Sequence, residues 1–372
     1  MQVALYQLDG AQLGLGRVFD VEINGAQTLV DEAVGSPCPV LVFPNHDDWG
    51  YARVVLDEAA VEVIESRIQQ LNDPLARSMM IRALYDMTRS GRLPIRDYVI
   101  LALRESQIET DIRVLAQLIQ SIAASIDLLY RLQPDSETAL TEVLSTLAES
   151  SWEHATSEND PDRARLWFEL LLEASAGSVA QDRLRTLLNE TVTMPAVQLS
   201  KDLRWNVVIA LSTFGVPDTE QLINAERERD PSDQGQKLAI AADAARPQAA
   251  IKDYWLKELI NPESNLGLAR QRYAIGSLFP GNQTGLQDDQ LHRILKSLPM
   301  LSGRDPYFLS SYVDGLLRPI CKSESVAAIA SALETGGLDS TTELFLREAQ
   351  QADTECLDLR VNMAQQSTYR NQ

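Results

Sequence analysis

Histidine and cysteine are the scarcest chemistry-bearing residues of this chain, three of each in 372 residues. His46, His154 and His292 are far apart, and none stands four residues from another, which excludes a His-Glu-x-x-His zinc helix. Cys38, Cys321 and Cys356 are odd in number and lack a Cys-x-x-Cys pair. That excludes a zinc knuckle, argues against a disulfide framework, and points to buried or incidental thiols in a reducing compartment, so a cytoplasmic location is expected. The chain also lacks a Gly-x-Ser-x-Gly elbow, a Walker loop and a dinucleotide fingerprint. Gly281-Asn-Gln-Thr-Gly285 has no Lys-Ser/Thr after it and reads as a helix connector.

No uninterrupted apolar run approaches the ~18 residues a membrane-spanning helix needs, so no membrane contact is expected. Met1 is followed at once by Gln-Val-Ala-Leu-Tyr, without the basic and apolar regions of a secretory leader. Basic residues are outnumbered, 33 Lys plus Arg against 53 Asp plus Glu, for a net charge of −20. Such a surface repels phosphate backbones and excludes nucleic acid as the expected partner. The acidic excess has two readings, a solvated surface or a lining that attracts cationic peptides or their free amines.

What is present fits a folded protein, with 45% hydrophobic and 23% charged residues. Residues 2–8, 17–23, 27–30 and 40–43 read as short strands. Phe19, Val21 and Ile23 alternate with polar neighbours, and Asn24-Gly25 offers a tight hairpin turn. Pro44 and the polar cluster at residues 45–48 end the last run, and residues 51–56 resume an extended pattern. From Glu58 the apolar period changes to that of helices: Val61, Ile64, Ile68 and Leu71 share a face. Asp73-Pro74 and Asp160-Pro161 read as helix starts, a helix with Leu140, Val143, Leu144 and Leu147 follows Pro134, and Leu203, Val207, Leu211 and Phe214 mark one that stops at Gly215. Residues 218–221 and 340–343 resemble capping boxes.

The expected fold is therefore mainly α. A small β-sandwich-like domain occupies residues 1–57, and an irregular α-superhelix of the HEAT or armadillo kind occupies residues 58–372. The β domain reads as truncated at its N-terminus, which leaves a strand edge open for self-association. Lys201-Asp-Leu-Arg204-Trp205 places charge and a large aromatic at a helix start. Either Arg204 is a buried ion pair with Trp205 in the core, or the two face a peptide, the guanidinium holding its carboxylate.

One run carries more information than the rest: Pro44-Asn-His-Asp-Asp-Trp-Gly-Tyr-Ala-Arg-Val-Val-Leu-Asp57. It resembles the segment joining the small β domain to the C-terminal helical domain of aminopeptidase N-type zinc metallopeptidases. Asp73-Pro-Leu-Ala-Arg77, Ala83-Leu-Tyr-Asp-Met-Thr88, Glu109-Thr-Asp111, Asp202-Leu-Arg-Trp205 and Ala245-Arg-Pro247 follow in the family's order.

The resemblance implies the two C-terminal domains of such an enzyme, the helical one a bowl that closes over the active site and shapes a peptide chamber. The parent enzyme would cleave N-terminal residues from peptides with zinc held in a preceding catalytic domain. That domain and the peptide substrates are the implied partners. No catalytic or metal residue transfers to this chain, so no cofactor is expected on it and the chain alone is expected to be inactive. Asn45, Asp47, Tyr51, Arg53 and Asp57 are assigned to the domain junction, Asn45 and Asp47 on turn amides, Tyr51 in packing and Arg53 against a carboxylate such as Asp57. A freestanding helical-repeat scaffold that binds a protein partner is the alternative.

Overall fold

The computed structural model describes residues 1–132, 137–261 and 263–370. Among them the chain is mainly helical, and it divides into two compact units, Met1–Ile122 and Ala123–Gln372. The change from extended chain to helix comes earlier, at Asp57 and Glu58.

Unit 1 opens with a three-stranded antiparallel sheet, β1 (Gln2–Asp9), β2 (Gln12–Asp20) and β3 (Leu41–Pro44), in the order β2-β1-β3. The hairpin turn lies at Gly10, whose φ of +62° suits glycine, and not at Asn24-Gly25. Val21 still pairs with Met1 through two backbone hydrogen bonds, of 2.7 and 3.0 Å, but Ile23 is exposed and residues 27–30 form no strand. The alternating pattern thus runs past the point where a neighbouring strand exists to pair with it. Leu5, Phe19 and Val21 form a small core.

Three helices follow, α1 (Glu58–Arg67), α2 (Pro74–Arg89) and α3 (Ile95–Ile108), and α4 (Ile112–Leu132) begins in unit 1 and ends in unit 2. Asp57 caps α1 by accepting the Ala60 N–H at 2.8 Å, and Asp73 caps α2 ahead of its first-turn proline. Among the described residues α4 is the one helix long and apolar enough to cross a membrane. It is amphipathic, burying Leu115, Leu118, Ile122 and Ile126 while carrying an Asp127–Arg131 ion pair.

Unit 2 continues with α5 (Glu137–Ser157), α6 (Pro161–Glu173), α7 (Ser178–Leu188), α8 (Lys201–Thr213), α9 (Thr219–Arg229), α10 (Asp233–Ala244), α11 (Ala249–Ile260), α12 (Leu268–Leu278), α13 (Thr284–Leu301), α14 (Pro306–Leu316), α15 (Ser323–Thr335) and α16 (Ser340–Arg370). The helix of Leu140 to Leu147 is α5, and Pro134 lies outside the described residues. The helices pack in two rows. In one row α6, α8, α10, α12, α14 and α16 each lie against the next, and in the other α11, α13 and α15 do so. Trp255, Phe279, Phe308, Tyr312 and Leu346 share the core between the later helices.

Two caps differ from those read in the sequence. Asp218 turns its carboxylate to Arg185 and caps nothing with its side chain. At α16 the cap is Asp339, which accepts the amides of Thr341 and Thr342 at 2.9 and 3.0 Å. The cysteine reading is also corrected. Cys321 and Cys356 form a disulfide with Cα atoms 4.9 Å apart, leaving Cys38 free and exposed. Wide sequence spacing hid the pair because the chain returns along α16 to meet the loop after α14. Cysteine usage thus no longer supports a reducing compartment.

Candidate functional site

The loop between β3 and α1 is clasped by Asn45. Its side-chain NH2 donates to the Gly50 carbonyl at 2.7 Å, and its Oδ1 accepts the Gly50 N–H at 2.7 Å. Asn45 is buried and left-handed at φ +65°, a conformation asparagine tolerates better than most residues. Asp47 is exposed and takes no turn amide as expected; its carboxylate lies 3.4 Å from Nε2 of the buried His46, whose ring meets the Tyr6 ring edge-on.

Tyr51, expected to pack, is fully exposed, and Trp49 is 72% exposed. Arg53 is exposed and has no ion pair among the described residues, because Asp57 is engaged as the α1 cap. Val54 and Leu56 turn inward instead, and the Leu56 N–H meets the Met87 sulfur at 3.4 Å. The junction is therefore half clasp and half exposed apolar strip.

Arg204 and Trp205 are not peptide-facing. Arg204 is buried, its Nε and Nη2 bond the Glu226 carboxylate at 2.9 to 3.0 Å, and its Nη1 donates to the Leu188 carbonyl at 3.0 Å. Trp205 is fully buried, with its indole N–H on Asp230 at 3.3 Å. Both guanidinium edges are spent inside the helix stack, so neither is left for a peptide carboxylate.

Unit 2 does hold a cavity of about 510 Å³ that sequence reasoning missed, walled by α4, α6, α8, α12 and the turn before α13. Glu173, Tyr130, Asn282 and Arg318 are among its polar groups, beside Asp127, Glu169, Asn206, Thr213 and Ser277. Desolvation raises the Glu173 pKa and the Asp127 carboxylate adds to the rise, while Arg318 opposes it. Burial lowers the Arg318 pKa, as does the nearby Arg131 charge. These residues are scattered over nearly two hundred positions and belong to no short motif, so no sequence signal groups them.

The match to known proteins decides the family. Residues 41–352 match the model of the ERAP1-like C-terminal domain. The chain belongs to that family. It is also 31% identical over 299 residues to an aminopeptidase N of Streptomyces lividans, an alignment covering 80% of this chain and 34% of that protein. The chain thus spans about a third of the length of the curated relative it matches.

Three of the motifs that carry the resemblance to this family end on buried ion pairs in the structure: Arg77 meets Glu109, and Arg204 meets Glu226. His154 donates from Nδ1 to the Ser150 carbonyl and stacks on Trp167, His292 is exposed, and His46 faces Asp47. Among the described residues no three His, Cys, Asp or Glu side chains converge on a metal-sized site.

Proposed function

We propose that this chain is the C-terminal, non-catalytic region of a zinc-dependent aminopeptidase, a hydrolase that removes N-terminal residues from peptides. The observation that carries this reading is the alignment with a third of an aminopeptidase N over four-fifths of this chain. The exposed strip supports it: Val42, Trp49, Tyr51 and Val55 all face solvent within one short stretch, with Tyr51 fully open. Rigid aromatics exposed next to a clasped loop suit a docking face. Its occupant in this proposal is the catalytic portion of the same enzyme, for which the aligned relative has the additional length.

In this reading the sheet belongs to a β-sandwich-like domain, and the two helix rows form a HEAT-like superhelix that caps the active site and shapes a peptide chamber. Zinc would be held wholly by the catalytic portion, and its activated water would attack the peptide there. Metal analysis and an aminoacyl-arylamide assay on this chain test the division of labour. No stoichiometric zinc and no hydrolysis are expected, and one tightly held zinc with activity would overturn it. The genomic reading frame ahead of Met1 tests the partner. An in-phase continuation into a His-Glu-x-x-His segment supports the enzyme, whereas a stop codon and promoter there favour a freestanding scaffold. Dimers that dissociate on Trp49→Ala and Tyr51→Ala substitution would assign the strip to self-association instead.

A further inference from the structure

The acids around the 510 Å³ cavity of unit 2 are not equivalent. Asp127 is held by Arg131 through bonds of 2.6 and 3.1 Å, and Glu169 by Arg165 at 3.1 Å. Glu173, the last residue of α6, has no hydrogen-bond or ion-pair partner among the described residues; the packing around its carboxyl raises its pKa although part of the side chain is exposed. Across from these groups Arg318 makes one long bond, 3.4 Å to the Gly276 carbonyl, and no ion pair among the described residues. Glu173 and Arg318 sense each other's charge without meeting. Two further atoms of lining residues, the Tyr130 hydroxyl and the Asn282 Oδ1, are enclosed and have no partner among the described residues.

Enclosed polar groups that no protein atom satisfies are costly unless solvent or a ligand meets them. A ligand with one charge would meet either Glu173 or Arg318 and leave the other unpaired. A ligand that meets both carries an ammonium and a carboxylate a few bonds apart. The ammonium has three N–H donors, and the unpaired Glu173 carboxylate is the matching acceptor. The guanidinium of Arg318 offers the fork that suits a carboxylate. A volume of this size lies in the range of small-molecule sites.

We propose that this cavity binds a free α-amino acid, its ammonium on Glu173 and its carboxylate on Arg318. If the chain serves an aminopeptidase, that ligand has the chemistry of the released product, and the cavity is a product-sensing site. Only the source of the ligand rests on that reading, because the binding itself is measurable whether or not a catalytic portion exists.

Gly276 supplies a clean block. It lines both this cavity and an adjoining one of about 710 Å³, and a Cβ added there would meet no atom within 4 Å. Gly276→Leu also improves the helix propensity of α12, so the variant is expected to fold. The experiment titrates the chain calorimetrically with each standard L-amino acid at neutral pH, then compares the best binder with its carboxamide and its N-acetyl form. At least one amino acid is expected to bind, with both blocked forms about tenfold weaker or worse, the loss of one charge-assisted contact. Glu173→Gln should weaken the free amino acid by a similar factor and leave the N-acetyl form unchanged, and Gly276→Leu should abolish binding while retaining the wild-type circular dichroism. No binding by any standard amino acid at millimolar concentration overturns the proposal. So does a carboxamide that binds as well as the acid, or binding that survives in folded Gly276→Leu. Failure of the zinc and arylamide tests, with binding intact, would remove only the product interpretation.

Discussion

The guanidinium of Arg77 clasps the carboxylate of Glu109 across 32 residues of sequence, Nε to Oε2 at 2.9 Å and Nη2 to Oε1 at 2.6 Å, with both side chains removed from solvent. The remaining valences are filled too. Arg77 donates to the Leu71 carbonyl at 2.7 Å, and Glu109 accepts the amides of Thr110 and Asp111 at 2.9 and 2.8 Å. A pair this complete ties the start of α2 to the link between α3 and α4.

Glu109→Gln should cost about 3–5 kcal/mol, because it strands a buried guanidinium. The double variant Arg77→Met, Glu109→Leu should recover most of that loss, since two apolar groups of similar volume leave no charge unpaired. Urea unfolding of both variants checks this. Equal losses in the single and double variants would assign the effect to packing.

The same pair sets an acid limit. Burial alone would raise the Glu109 pKa, but the Arg77 bond and the two amides outweigh it, and the net shift is downward. A carboxyl depressed on folding stabilises fully above its unfolded pKa and loses that contribution as pH falls through its folded one. Acid titration of stability should therefore be shallower in Glu109→Gln than in wild type below about pH 4.

Lys252 sets a slope of the same sign at the alkaline side. It is fully buried, donates to the Ala244 carbonyl at the end of α10 at 2.7 Å, and burial brings its pKa down to about 7 against a weaker pull upward from Asp243. From pH 7 to the unfolded value of 10.5 the unfolded chain binds the extra proton, so stability should rise with pH over that window. Chemical denaturation at stepped pH from neutral to mildly alkaline should show this rise in wild type and a flatter line in Lys252→Met.

Asn45 and its neighbours separate folding from docking. Asn45→Ala removes two 2.7 Å bonds to Gly50 and places alanine at φ +65°, for an expected loss of about 3 kcal/mol. Asn45→Gly removes the bonds but suits the backbone, and should lose less. Trp49→Ala and Tyr51→Ala act on exposed rings and should change stability by no more than about 0.5 kcal/mol. Thermal melts of the four variants give the ranking.

The disulfide should be worth about 2–4 kcal/mol for its loop of 35 residues. Asp353 limits the structural consequence of its loss, because its carboxylate holds the Ile320 and Cys321 amides at 2.8 and 2.6 Å and also takes the Ser325 hydroxyl. Cys321→Ser with Cys356→Ser should therefore melt earlier yet keep the wild-type circular dichroism. Cys38→Ser should melt as wild type does, since that thiol is exposed and unpaired.

Helices were legible in the sequence wherever a cap and a proline coincided, as at Asp73-Pro74 and Asp160-Pro161, since those residues act locally on the first turn. The sheet was legible only in part. Alternation marks a face to bury, but Ile23 shows that it does not say whether a partner strand exists. The junction was found through its pattern, yet the roles within it were not. Arg53 and Asp57 are close enough in sequence to pair, and the cap of α1 took the aspartate. Arg204 had two readings because helical spacing alone does not reveal Glu226 on the neighbouring helix. The cavity residues Tyr130, Glu173, Asn282 and Arg318 come from four separate parts of the chain, and only tertiary packing assembles them.

The covalent tie between Cys321 and Cys356 encloses α15 and the first half of α16 in a closed ring of chain. A protease that cuts anywhere inside that ring produces no separate fragment, since both pieces stay joined through sulfur. Clipping of this end would thus be invisible on a gel run without reductant and would appear only once thiol was added.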